Sequence, residues 1–140
     1  MDKHLAIIRL RGRTGISAAT EATLKHLNLN RINNCVVLGE SPQILGMLRK
    51  AKDYITWGYI DSDTLRDLAA KRGRPLQQEE AGKLSKQKVI NVDGKVYESR
   101  FRLSPAIGGL GSRGIKATFG KSGALGNRKE KINDLIKKML

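Results

Sequence analysis

At 140 residues the chain is long enough for one domain that hides roughly two thirds of its unfolded surface, yet only 39% of it is apolar and 4% aromatic, so Leu, Ile, Val and Ala must build the core. The 27 Lys and Arg against 13 Asp and Glu leave a net charge of +14, which repels itself unless a polyanion neutralises it; nucleic acid is the expected partner. The single cysteine, Cys35, excludes an internal disulfide, no Cys/His group has zinc spacing, and no run approaches the ~20 apolar residues of a membrane span.

The first element, "LAIIRLR", alternates with Ala6, Ile8 and Leu10 on one face and Ile7, Arg9 and Arg11 on the other, the pattern of a half-buried strand whose arginines point away from the core. Its apolar run is too short for a signal peptide, so a cytoplasmic protein is expected. "GRTGIS" breaks the strand, and Ser17 can cap a helix carrying Ala22, Leu24 and Leu27. "CVVL" is short and β-branched, a buried second strand in which Cys35 is structural and not a reactive thiol. Ser41 then caps a helix with Pro42 at its first position, where the missing N–H costs nothing; Ile44, Leu45, Leu48 and Ala51 form its inward stripe. "DYITWGYI" reads as a third strand.

Strand, helix, strand, helix, strand within residues 1–60 implies an α+β fold, a small sheet with two helices on one face whose strand order the pattern leaves open. Residues 61–140 then form an extension packed on the same single domain. Asp61 or Ser62 starts a helix with Leu65, Leu68 and Ala69, closed at Gly73 to Pro75. Leu76 to Lys88 is polar and aperiodic, a mobile loop. "VINVDGKVYE" is two alternating runs about Asp93-Gly94, a hairpin that needs the sheet or a partner to rest on. From Leu103 to Asn127 seven glycines leave little to bury, so that tail must order against something else. "NRKEKINDLIKKML" closes the chain as an amphipathic helix, Asn127 its cap and Ile132, Leu135, Ile136 and Met139 inward.

The Gly-Lys-Ser at 120–122 invites comparison with a nucleotide-binding loop. That loop needs a glycine five places before Gly120, where Ile115 stands, and a buried apolar strand leading into it, which Arg113 and Lys116 interrupt. Glycines, Lys121 and Arg128 before a helix suit an RNA backbone instead. His4 and His26 lack a neighbouring carboxylate or cysteine in a catalytic pattern, and Asp61 and Asp63 sit where acids stabilise a helix start and do not read as a metal pair. No enzyme, metal site or cofactor is expected.

The constellations that remain suit RNA. Arg9, Arg11 and Arg13 recur along the first strand at about 7 Å, close to the spacing of adjacent phosphates. Arg49, Lys50 and Lys52 end the second helix beside Tyr54 and Trp57, which either stack on unpaired bases or, for Trp57, pack in the core. Ten basic residues between Arg100 and Leu140 face only Glu130 and Asp134, and include Arg100, Arg102, Arg113, Lys116, Lys121 and Arg128.

Leu27, Leu29, Arg31, Ile32, Asn33, Val36 and Val37, then Ser41, Pro42, Gly46, Met47 and Leu48, then Lys52, Tyr54, Thr56, Trp57 and Gly58 match three motifs in succession. With them the chain resembles the large-subunit ribosomal protein family numbered thirty in bacteria and seven in eukaryotes. Phe101, Leu103, Ser104, Pro105, Gly108 and Gly109, with Gly123, Gly126, Asn127, Arg128, Ile132, Asn133, Leu135, Ile136 and Met139, resemble its long archaeal and eukaryotic branch. Residues Ala70 to Glu98 depart from the pattern.

The resemblance implies that the strand-helix-strand-helix-strand core is similar to the ferredoxin-like layout, and that the chain is a non-catalytic constituent of the large subunit near its central protuberance that supports assembly and translation. Its implied partners are the large ribosomal RNA, 5S RNA and neighbouring ribosomal proteins, with the chain a monomer in the particle. The candidate RNA contacts are Arg9, Arg11, Arg13, Arg31, Asn33, Arg49, Lys50, Lys52, Tyr54, Trp57, Arg100, Arg102, Arg113, Lys116, Lys121 and Arg128. The alternative is a basic nucleic-acid-binding protein outside the ribosome.

Overall fold

The computed structural model describes residues 4–12, 16–39, 41–73, 89–92, 95–104, 114–118 and 123–139. The expected core is present: β1 (His4–Arg9), α1 (Ala18–His26), β2 (Asn34–Gly39), α2 (Pro42–Lys50) and β3 (Ile55–Tyr59). β1 lies between β2 and β3 and is antiparallel to both, with Ile7 opposite Val36 on one side and Trp57 on the other. β2 and β3 therefore run the same way with β1 inserted between them, a split β-α-β unit of the ferredoxin-like kind.

Local chemistry accounts for the helix starts. The Ser17 hydroxyl accepts from the Thr20 N–H at 3.3 Å, and the Ser41 hydroxyl accepts from the Ile44 N–H at 3.2 Å with Pro42 behind it. Asp61, and not Ser62, caps α3 (Ser62–Arg72), its carboxylate accepting from the Thr64 N–H at 2.7 Å. Those bonds to Thr64 favour the charged carboxylate and hold the Asp61 pKa below its ordinary value.

Beyond residue 60 the chain enlarges the same sheet. β4 (Val89–Val92) and β5 (Lys95–Glu98) pair as the expected hairpin, with Val92 opposite Lys95; its Ile90 is buried and Tyr97 packs beside it. β6 (Arg100–Arg102) joins the outer edge of β2. β7 (Gly114–Thr118) and β8 (Gly123–Asn127) extend the other edge, β8 parallel to β3, for a sheet order β6-β2-β1-β3-β8-β7. Part of the glycine-rich tail thus orders against the protein's own sheet. The backbone hydrogen bonds of β3's free edge provide what the missing side chains cannot. A short 3-10 turn (Lys129–Lys131) leads into α4 (Ile132–Met139), and the Asn127 side chain accepts from the Lys129 N–H at 2.9 Å.

The helices divide between the two faces. α1 and α2 cover one face with Leu24, Ile44 and Leu48 against Leu5, Ile7, Val36 and Ile55, as expected. The other face is covered as well, by Leu68 of α3 and Ile132, Leu135, Ile136 and Met139 of α4 against Ala6, Ile8, Cys35 and Val37. β1 is accordingly buried on both sides and is not half exposed: Leu5 to Leu10 are each no more than 4% accessible. The near-continuous apolar run Leu5 to Ile8 is the usual mark of a doubly covered strand. Among the described residues no helix is long and apolar enough to cross a membrane.

Candidate nucleic-acid interface

The two-sided burial of β1 corrects one expectation directly. Arg9 does not point to solvent; it is 2% exposed, its Nε donating to the Arg11 carbonyl and Nη1 to the Leu29 carbonyl, both at 2.8 Å. Such a guanidinium ties the end of β1 to the segment after α1 and is withdrawn from phosphate. A buried arginine persists where carbonyls take up its donors, and these two take up Nε and Nη1.

Arg11, two residues on, emerges at the end of the sheet. Its guanidinium lies 5.3 Å from the centre of the Tyr54 ring, and its Nη1 reaches the Asp53 carbonyl at 3.5 Å. The backbone N–H groups of Leu10 and Arg11 both donate to the Tyr54 carbonyl, locking the exit of β1 to the turn before β3. That cation–aromatic contact holds the side chain in place without neutralising it.

The sheet register brings the other cations to the same end. Asn34 starts β2 opposite Arg102 at the end of β6, Arg9 ends β1 opposite Ile55, and Ile55 starts β3. Arg31 and Arg102 are exposed there, and so is Lys52 in the turn that carries Tyr54, with Arg49 and Lys50 exposed on the last turn of α2. Among the described residues none of these five forms an ion pair. By contrast, Arg100 lies 3.7 Å from Glu98 and Arg66 lies 3.8 Å from Asp63.

Three further candidates have structural duties. Asn33 takes a left-handed backbone, φ 67°; its N–H donates to the Arg9 carbonyl and its own carbonyl accepts from the Leu103 N–H, so it links β1, β2 and the end of β6. Trp57 is half-buried against the α1/α2 core, the packing side of its two readings, and its carbonyl accepts from the Arg128 N–H at 2.7 Å. Arg128 donates from Nε to the Thr56 hydroxyl, which donates in turn to the Gly126 carbonyl, each at 2.9 Å; burial pulls its pKa below the ordinary value. It anchors the β3–β8 edge. Arg13, Arg113 and Lys121 lie outside the described residues, as do the polar loop, the Asp93-Gly94 turn and the Gly-Lys-Ser. Lys116 lies on β7.

Sequence patterning missed one feature of this end: an open depression of about 470 Å³ lined by Arg9, Gly12, Asn30, Arg31 and Ile32. These residues come from two connections far apart in the chain, and only the lone aliphatic of "NRINN" hinted at them.

Comparison with known proteins accords with this architecture. The family model for ribosomal protein L30p/L7e matches residues 5–55, which is the split β-α-β core up to the first residue of β3. Full-length relatives extend the match through the tail. The large ribosomal subunit protein uL30 of Nanoarchaeum equitans is 42% identical over 147 residues, covering 94% of this chain and 95% of its own. Those of Methanosphaera stadtmanae and Methanococcus maripaludis are 40% and 38% identical, each covering 96% of this chain and at least 98% of their own. With 38–42% identity over matches that cover 94–96% of its length, the chain belongs to the ribosomal protein L30p/L7e family, in its long archaeal-type uL30 form.

Proposed function

We propose that this chain, a structural and non-enzymatic ribosomal protein like the rest of its family, binds large-subunit ribosomal RNA through the basic end of its sheet and so supports assembly of the subunit. The observation that carries the reading is the gathering of Arg11, Arg31, Lys52 and Arg102 at one end of one sheet, with no described acid paired to Arg31, Lys52 or Arg102. Cations left unpaired at a common surface attract a polyanion, and each phosphate they neutralise releases condensed counterion. Arg49 and Lys50 widen that surface along α2. Arg13, Arg113, Lys116 and Lys121 are further candidates for contact, as is Tyr54. A position near 5S RNA and the central protuberance, with neighbouring ribosomal proteins alongside, follows from the family resemblance.

The test is a salt titration. Binding of the purified chain to a large-subunit ribosomal RNA transcript is measured from low to physiological salt, beside duplex DNA of matched length. The expected result is preference for the folded RNA, and sedimentation of the tagged chain with the large subunit in cell extract. Equal affinity for the duplex, with no co-sedimentation, would favour a general nucleic-acid coat and defeat the proposal.

A further inference from the structure

We propose that the depression beside the α1–β2 connection is a nucleotide seat, in which an unpaired base of the RNA lies against Ile32 while the adjoining phosphate meets Arg31. The inference rests on the RNA-binding reading above and gives it a specific contact.

Four observations converge on the seat. Ile32 is 49% accessible, the one large apolar side chain exposed among the described residues of a chain short of apolar residues. An aliphatic group held in water beside cations is what a flat, partly apolar ring can cover. The volume of about 470 Å³ falls in the range of small-ligand clefts, about 300–1,000 Å³. Among the described residues the lining holds two arginines and no acid, so its field favours an anionic occupant. Asn30, half-buried, brings an amide able both to donate to and accept from a base edge.

The walls are also held in place. Arg9 is fixed from beneath by its two carbonyl partners, and the Asn33 N–H donates to the Arg9 carbonyl at 2.8 Å, which sets the loop carrying Arg31 and Ile32. Gly12 keeps the opposite side low. A Cβ there would stand 3.4 Å from the Ile32 Cδ1, in van der Waals contact with it, so a branched residue would cover the Ile32 face against which the base is proposed to lie.

Two substitutions alter the seat without altering charge: Ile32→Ala removes the apolar face and Gly12→Val fills the space. The readouts are affinity of the full chain for the ribosomal RNA across a salt series, and chemical probing of unpaired nucleotides in free and bound RNA. Each variant is expected to bind about three- to tenfold more weakly, the scale of one lost apolar contact, with an unchanged salt slope and an unchanged melting temperature. One nucleotide protected by the wild type should regain reactivity, and Ile32→Leu should restore protection. If the wild type binds and both variants match it in affinity and protection, the seat is overturned while RNA binding stands. It is overturned equally if the variants keep the protection and lose only attachment to a neighbouring ribosomal protein. If the wild type shows neither affinity nor salt dependence, the RNA-binding reading itself fails and takes the seat with it.

Discussion

Arg9 and Arg31 show how one residue type serves opposite ends at a single locus. Arg9 satisfies the buried Leu29 carbonyl and the partly buried Arg11 carbonyl, so Arg9→Ala removes both bonds and should cost about 1–3 kcal/mol of stability. Arg31 is exposed and unpaired among the described residues, so Arg31→Ala should leave the melting temperature unchanged and reduce the salt slope of RNA binding by about one unit. Urea denaturation and the RNA titration, run on both variants, separate the two roles; a destabilised Arg31→Ala would contradict the assignment. Cys35 makes a second residue-scale prediction. Burial in the sheet pushes its thiol up to about 12, only partly offset by a hydrogen bond involving the Ile7 backbone. The unfolded thiol ionises near about 8.5. The folded state therefore favours the protonated form, and its stability is intact below the unfolded value and lost as pH rises from about 9 towards 12. Wild type should lose stability relative to Cys35→Ala across that window, by up to about 1.4 kcal/mol per pH unit. A constant difference between the two across the window would show that Cys35 ionises alike in both states.

Among the elements, α4 depends most on a fit no single segment contains. Gly58 on β3 has no side chain because the 3-10 turn and α4 lie on it: a Cβ there would collide with the Lys129 carbonyl and stand 2.9 Å from the Ile132 Cβ. Asn133 fastens the next turn, its Oδ1 accepting from the Asp61 N–H at 3.0 Å and its Nδ2 donating to the Tyr59 carbonyl at 3.2 Å. Gly58→Ala should push the helix away at a cost of about 1–3 kcal/mol, with amide protection lost in α4 before α1 and α2. Uniform loss of protection would show that the two faces of the sheet unfold as one unit. At the start of α3, Asp61→Ala should cost about 1 kcal/mol at neutral pH. Because the folded carboxyl ionises below its ordinary value, that contribution is present above the unfolded pKa and disappears as the solution is acidified through the folded one. Comparing denaturation of wild type and Asp61→Ala at neutral and acid pH measures it.

Across the whole molecule the sheet works as a sorting device. Its two faces are closed by paired helices, its lateral edges by β6 and by β8 with β7, and the end where β1 leaves and β2 and β3 begin carries the exposed Arg31, Lys52 and Arg102. Most of this fold could be read from local pattern. The caps Ser17, Ser41 and Asp61, the succession of strands and helices, the hairpin about Asp93-Gly94 and the inward stripe of α4 are each signals within about a dozen residues, whereas the insertion of β1 between β2 and β3 joins segments far apart and was not legible locally. The second covered face could not be read that way, since it joins residues 6–8 to residues 132–139, and neither segment alone says where the other packs. The candidate interface was legible as charge and as composition. Its geometry was not: Arg9 and Arg11 have the same side-chain parity on paper, and only the cover over β1 makes one a buried fastener and the other a surface group.

Charge, capping residues, periodicity and family motifs are properties of the chain as written, and from them alone came the class of fold, the family and the expectation of a polyanionic partner. Tertiary structure decided which arginine is buried and which exposed, that part of the glycine-rich tail pairs with the edge of β3, and that Gly12 and Ile32 line one depression. The physical reason is one of range. Backbone hydrogen bonding and side-chain periodicity act over a few residues, whereas exposure is set by whatever distant segment comes to lie on top.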